Sequence, residues 1–491
     1  MVSMKRIKAI IRRKSKFPVV LPQREHSVDN RQIERGVIDI MYRLKKNGYR
    51  AYLVGGCVRD ILLGMPPKDF DIVTDAHPRQ IKRLFARCFL IGSRFRLAHV
   101  YITADRFIEV ATFRAAVDPA EVPDGVKKNY NTFGSIEEDA FRRDFTINSL
   151  YYNYADSTIM DYTGGLSDIK KRILRSIGDP AVRFREDPVR IIRAARFCAR
   201  FGFRLSRQDY KDAVANASRV SEANANRLLE ELYKILRCGA SAASFKYLDR
   251  FGVLPHWIPE LERARYNHKL IARLEALDRR RLAGRDIPSS VLITLLFYDM
   301  FGSLNDKPDT LRGTHESFVE ARSLFHPVAS RLRLPRKETD RVLNIVTRQK
   351  SFVQSDERKR NPRFEKKFVR NEHFGDALLF FEILAESTGG CQDDIKYWKT
   401  LAAEGPDAPA AQARKTEPGN EANRTRRPAH NRPKKQPARP SVTGTDSVAV
   451  KYTDSETATE DKPAVKKPRR RRRKKPVAKN TVETITAEQN S

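Results

Sequence analysis

The chain has 491 residues, with 95 Lys and Arg against 61 Asp and Glu, for a formal net charge of +34. That length accommodates several domains, and that charge points to a polyanionic partner, either nucleic acid or an anionic membrane surface. No apolar run approaches the roughly 20 residues of a membrane span, which favours nucleic acid. The five scattered cysteines lack any C-x-x-C or Cys/His zinc spacing and read as free thiols in a reducing compartment, the cytoplasm.

Residues 1–29 form a basic, irregular arm without a secretory h-region or cleavage pattern. Residues 31–48 are apolar at Ile33, Val37, Ile40, Met41 and Leu44, which predicts a helix with one buried face. Residues 51–54 read as a buried strand, followed by Gly55-Gly56 and a helical CVRDILLG. A glycine pair between strand and helix lets the backbone approach a ligand, and the helix start offers unpaired N–H groups to an anion. In KDFDIV, residues 68–73, the strand period projects Asp69 and Asp71 together while Phe70 and Ile72 point to the core. Two adjacent carboxylates repel, and a divalent cation is the usual compensation. A phosphate-binding turn beside such a pair points to phosphoryl or nucleotidyl transfer.

An amphipathic helix is expected over 77–88, a strand over 89–91, and a hairpin of 97–102 with 107–113 around Thr103-Ala104-Asp105-Arg106. Glu109, Ala111 and Phe113 share one face of its second strand. Residues 115–135 read as a mobile loop, closing a first domain over 30–155. From 136 the chain turns largely helical, with a hairpin of 158–162 and 173–177 flanking Gly164-Gly165. One strongly basic helix is expected over 179–203 and an amphipathic one over 224–236, giving a neck over 156–243. A helical body over 244–403, read as RNA-binding, has loops near 305–312 and 355–361. Residues 404–491 contain no Leu, Phe or Trp and cannot bury enough apolar area to order, so they read as a disordered basic tail. Within KKPRRRRRKK, Arg469, Arg470, Arg471, Arg472, Arg473, Lys474 and Lys475 suit sequence-independent phosphate binding, the alternative being a solubilising or targeting tail.

Five stretches occur in order: LVGGCVRD, KDFDIVTD, EEDAFRRDFTINSLYY, REDPVRIIRAARF and ANANRLLEELYKIL. Together they resemble the nucleotidyltransferase branch that contains CCA-adding enzymes and bacterial poly(A) polymerases. LIGSRFRLAHVYI looks like the segment that sets the poly(A) polymerase subgroup apart, with Ser93 where a basic residue is more usual. The resemblance implies an α+β chain: a polymerase beta-like mixed sheet with helices at the N-terminus, then all-helical domains. It implies that Gly55, Gly56 and Arg59 hold the triphosphate and that Asp69 and Asp71 bind Mg²⁺. Glu109 would be either a third carboxylate near the primer hydroxyl or a strand-edge acid. Asp144 would either complete the site or pair with Arg142 or Arg143, and Arg143 would face ribose or phosphates. Asp187, Arg190 and Arg193, three apart on one helical face, would read the base of ATP without a template.

The function so implied is AMP addition to RNA 3′ ends, with ATP as substrate and RNA-decay proteins as possible partners. A CCA-adding enzyme is the alternative within the same chemistry. A catalytically inactive RNA-binding protein is the alternative outside it, opposed by the retention of both Asp69 and Asp71. A small-molecule nucleotidyltransferase would explain the carboxylates and not the charge.

Overall fold

Val37, Ile40, Met41 and Leu44 recur at helical spacing and are the buried residues of the first helix, α1 (Arg35–Lys46). In the computed structural model, which describes residues 18–92, 97–115, 133–262, 264–302, 315–353 and 361–403, this helix covers an eight-stranded mixed sheet. The strands are β1 (Val19–Leu21), β2 (Ala51–Val54), β3 (Asp71–Thr74), β4 (Cys88–Ile91), β5 (Leu97–Tyr101), β6 (Phe107–Thr112), β7 (Leu150–Asn153) and β8 (Thr158–Asp161). Their spatial order is β1-β8-β7-β2-β3-β6-β5-β4. Within this sheet β3 and β6 run parallel, and the other neighbours are antiparallel.

Strand alternation divides the core in two. On one face Leu53, Ile72, Val100, Ile108 and Val110 pack with α1, α2 (Gly56–Leu62) and α3 (Pro78–Leu84). On the other, Val54, Val73 and Tyr151 pack with Ile136 and Ala140 of α4 (Ile136–Arg142). Fully burying one such apolar side chain contributes about 1.5–3 kcal/mol, so a one-residue slip of β3, which would exchange its two faces, would be costly.

Several expectations are corrected. The arm is not irregular throughout, because β1 pairs with β8. The helix over 77–88 ends at Leu84: Phe85 is already extended and Cys88 opens β4. RRDFTINSLYY leaves α4 at Arg142 and ends in β7, where Tyr151 and Tyr152 are fully buried. Residues 158–162 and 173–177 do not form a hairpin. Instead Gly164-Gly165 opens α5 (Gly165–Lys171), with the buried Asp161 carboxylate accepting the N–H groups of Thr163, Gly164, Gly165 and Leu166. A Cβ on Gly165 would lie 2.3 Å from the Thr146 carbonyl oxygen, so the turn needs glycine there. β9 (Ile173–Leu174) pairs in parallel with β10 (Arg204–Leu205).

The basic stretch over 179–203 is two helices, α6 (Pro180–Glu186) and α7 (Val189–Phe201). Pro188 lacks an N–H and disfavours helical backbone at the residue before it, and Asp187 accordingly sits at φ −146°. Then come α8 (Arg207–Ala215), α9 (Ala225–Arg237) and further helices from Ser241–Arg250 to Gln392–Ala403. One hydrophobic cluster runs from Phe145 through α7 and α9 to Ile383, and a smaller aromatic one surrounds Phe352 and Trp398. Among the described residues no helix is long and apolar enough to cross a membrane. Most of the expected loop over 115–135, the loops near 305–312 and 355–361 apart from Asn361, and the tail lie outside the described residues.

Candidate active site

The parallel register of β3 and β6 sets Asp71 opposite Glu109, and Asp69 precedes β3 by two residues. Burial pushes the Asp71 carboxyl up to about 6, and Glu109 and Asp69 push in the same direction while Arg143 opposes them. Asp71 thus shares its surroundings with two further carboxylates and with Arg143. Glu109 has a half-exposed side chain, with His99 Nε2 at 3.7 Å from its Oε1. Among the described residues no group of three or more His, Cys, Asp or Glu side chains converges as a ready-made metal site. The neighbouring Asp69 and Asp71 carboxylates offer hard oxygen donors of the kind that suit a hard divalent cation.

The glycine turn lies beside this row. Gly55 has φ 78°, a conformation side chains resist, and a Cβ built there would lie 3.5 Å from Arg143 Nη1. Arg143 is aimed by Asp139, to which its Nη2 donates at 2.9 Å, and by the Tyr151 hydroxyl, to which its Nε donates at 3.1 Å. Although burial opposes it, Arg143 and Arg142 hold the Asp139 carboxyl below the usual carboxylate range. Arg143 is therefore a fixed cation between the turn and Asp71.

The Arg59 guanidinium lies beside the glycine turn, its Nη2 3.5 Å from a Cβ built on Gly56. Arg59 is 4% exposed, donates to Asp60 at 2.6 Å and to Asn148, and lies over the Phe201 ring at 4.4 Å. Asp60 also accepts from Arg200 at 3.3 Å. Arg59 thus ties the helix after the glycine turn to α7, with its guanidinium already committed.

A cavity of about 300 Å³ brings Asp144, Asp187, Arg190 and Arg193 together with Arg227, Glu231 and Lys234 of α9. Asp187 is not on a continuous helix with Arg190, because it caps α6. Both its oxygens accept from Arg227, at 3.0 and 2.8 Å. Arg190 Nη1 donates to the Arg183 carbonyl at 2.7 Å, across the helix break. Asp144 does not pair with Arg142 or Arg143: its partner is Arg193, whose Nη2 donates to it at 2.6 Å. Despite burial, Arg193 and Asn148 hold the Asp144 carboxyl well below the usual range. Asp144 is therefore a strut of the cavity wall. The α9 residues were the missed contributors. Arg227, Glu231 and Lys234 recur at i, i+4 and i+7, a single face, and Asn224 caps that helix by accepting from the N–H groups of Asn226 and Arg227.

The mixed sheet thus carries facing carboxylates and a glycine turn at the end of its interior strand β2, and the helices that follow hold a polar cavity. Residues 51–175 match the poly A polymerase head domain, and residues 202–265 match the probable RNA and SrmB-binding site of polymerase A. Over these two regions the chain is similar to poly(A) polymerases, and its relatives include CCA-adding enzymes as well. It is 45% identical over 253 residues to Poly(A) polymerase I of an Escherichia coli strain, covering 50% of this chain and 54% of that one. It is 38% identical over 200 residues to a CCA-adding enzyme of Limosilactobacillus fermentum, covering 40% and 48%. The chain thus spans about half the length of the curated relatives it matches. Its fold is similar to the Bacillus stearothermophilus CCA-adding enzyme solved with CTP, with a TM-score of 0.57, 27% identity, and coverage of 76% and 83%.

Proposed function

We propose that the protein adds AMP from ATP to RNA 3′ ends without a template, in the cytoplasm. The observation that carries this reading is the Asp71–Glu109 pair beside the glycine turn. The 45% identity to an enzyme named Poly(A) polymerase I supports poly(A) over CCA addition. Arg143, already oriented by Asp139 and Tyr151, binds triphosphate oxygens next to the Gly55-Gly56 backbone. Asp187 and Arg190 offer an acceptor and a donor to the edge of the base in the neck cavity, so protein groups choose the nucleotide. Asp69 and Asp71 would hold Mg²⁺, which when bound eases ionisation of the RNA 3′-hydroxyl and neutralises charge on the pyrophosphate leaving group. Substrate oxygens would complete the coordination that two carboxylates leave open. The basic tail and the body hold RNA by its phosphates.

Asp69→Ala and Asp71→Ala should each abolish nucleotide addition and leave RNA affinity nearly intact. Near-normal addition by Asp71→Ala at ordinary Mg²⁺ would overturn this assignment.

A further inference from the structure

The register that sets Asp71 beside Glu109 continues across the sheet. Glu109 pairs with His99 of β5, and His99 with Phe89 of β4, so these four residues form one row on one face. Two residues along, Tyr101 lies opposite Phe107 on the same face. The rings touch. His99 lies flat on Phe107, with centroids 4.0 Å apart and planes at 9°. Tyr101 meets Phe107 at 5.5 Å and Phe89 at 5.6 Å.

The reverse side of these strands is ordinary core, with Cys88, Ala98, Val100, Ile108 and Val110 buried. The ring side is open: Phe89 is 60% exposed, Ile91 49% and Phe107 37%. The hydrophobic cluster beneath α4 includes Val54, Val73 and Phe113 and none of these rings. Exposed Phe89 and Phe107, joined through the partly buried His99 and Tyr101, make an aromatic patch that needs a purpose.

We propose that this shelf stacks the terminal unpaired bases of the RNA acceptor and so delivers its 3′ end to the Asp71–Glu109 row. The inference rests on the reading that RNA is the acceptor and names where it lies. Continuity selects the occupant, because the shelf adjoins the Asp71–Glu109 pair, where the proposed transfer takes place. Chemistry agrees: every base has a face that stacks on Phe, Tyr or His, so the shelf accepts any 3′ sequence. The charge of +34 suits a polyanion over an apolar protein segment.

The test is equilibrium binding of the full chain to a short single-stranded RNA, compared with the same RNA lacking its 3′-terminal base. Salt of about 200 mM weakens the phosphate contribution that both share. The wild type is expected to prefer the complete RNA roughly five-fold or more. Phe107→Leu and Phe89→Leu, which keep apolar bulk at exposed positions, should remove most of that preference without changing affinity for the base-less RNA. Phe107→Tyr should retain it. A wild type without preference, or Leu variants that keep it, overturns the shelf. Self-association lost in the Leu variants, without any base preference, assigns the face to a second copy and also overturns it. Asp71→Asn separates this inference from the transfer reading, since it should keep the preference while losing addition. A chain that adds nothing to any RNA yet shows ring-dependent preference overturns the transfer reading alone.

Discussion

Arg193 of α7 ties Asp144, just beyond α4, to Glu231 of α9. Its Nε and Nη2 donate to Asp144 at 2.9 and 2.6 Å, and its Nη1 donates to Glu231 at 3.2 Å. Arg193→Met keeps the aliphatic stem and removes the charge, stranding carboxylates whose side chains are 13% and 5% exposed. Removing one member of a buried ion pair costs about 3–5 kcal/mol. Glu231 keeps Arg196 and Lys234, while Asp144 keeps Asn148 and the Phe145 N–H, so about 3 kcal/mol is expected at pH 7. The sign of the pH dependence follows from Asp144. In the wild type its depressed pKa contributes stability that is present above about 3.9 and lost as pH falls through the lower folded value. In the variant, burial without Arg193 raises that pKa, so the carboxyl takes up a proton on acidification and part of the deficit disappears. The gap between wild type and variant should therefore narrow from pH 7 to pH 4. Adding Asp144→Asn to the variant should recover much of the loss. Urea unfolding followed through Trp257, which shares a core with α7 and α9, measures both. A pH-independent loss with no recovery in the double variant would refute the reasoning.

Asp71 carries the opposite sign. Its folded pKa of about 6 lies above the ordinary 3.8, so in chelator ionised Asp71 destabilises the fold as pH rises through that window. Asp71→Asn should be more stable than wild type by about 2–3 kcal/mol at pH 8 and equal to it near pH 4, checked by urea unfolding at both values. Arg190→Ala should raise the ATP requirement and blur choice among nucleotides, by about 1–3 kcal/mol of discrimination. Raised ATP requirement with unchanged selectivity would make Arg190 a phosphate ligand only. Deleting residues after Ala403 should leave single-nucleotide addition at saturating RNA largely unchanged, weaken RNA binding and flatten its salt dependence. Equal salt slopes for full-length and truncated protein would show that the tail does not touch RNA.

The residues legible in the sequence were those whose role is local. The alternation of KDFDIV set Asp71 on one face and Phe70 and Ile72 on the other, and the hairpin turn over 103–106 was readable from its own residues. What needed three dimensions was partner choice. Asp144 has arginines one and two residues away, yet it pairs with Arg193, 49 positions on, because α4 ends at Arg142 and the chain turns toward α7. The aromatic surface of Phe197 and Phe201 that buries Arg59 lies on a later helix, beyond what its own stretch of sequence can show. The break at Asp187 has a local cause in Pro188, although the arginines on either side keep helical spacing. β1 was missed because three residues alone carry too little period to read.

The most direct test of the account is nucleotide addition by purified protein given Mg²⁺, a generic RNA and each nucleoside triphosphate separately. Long tails with ATP alone are the predicted result. Addition of only a few nucleotides, requiring CTP and a tRNA acceptor, would contradict it.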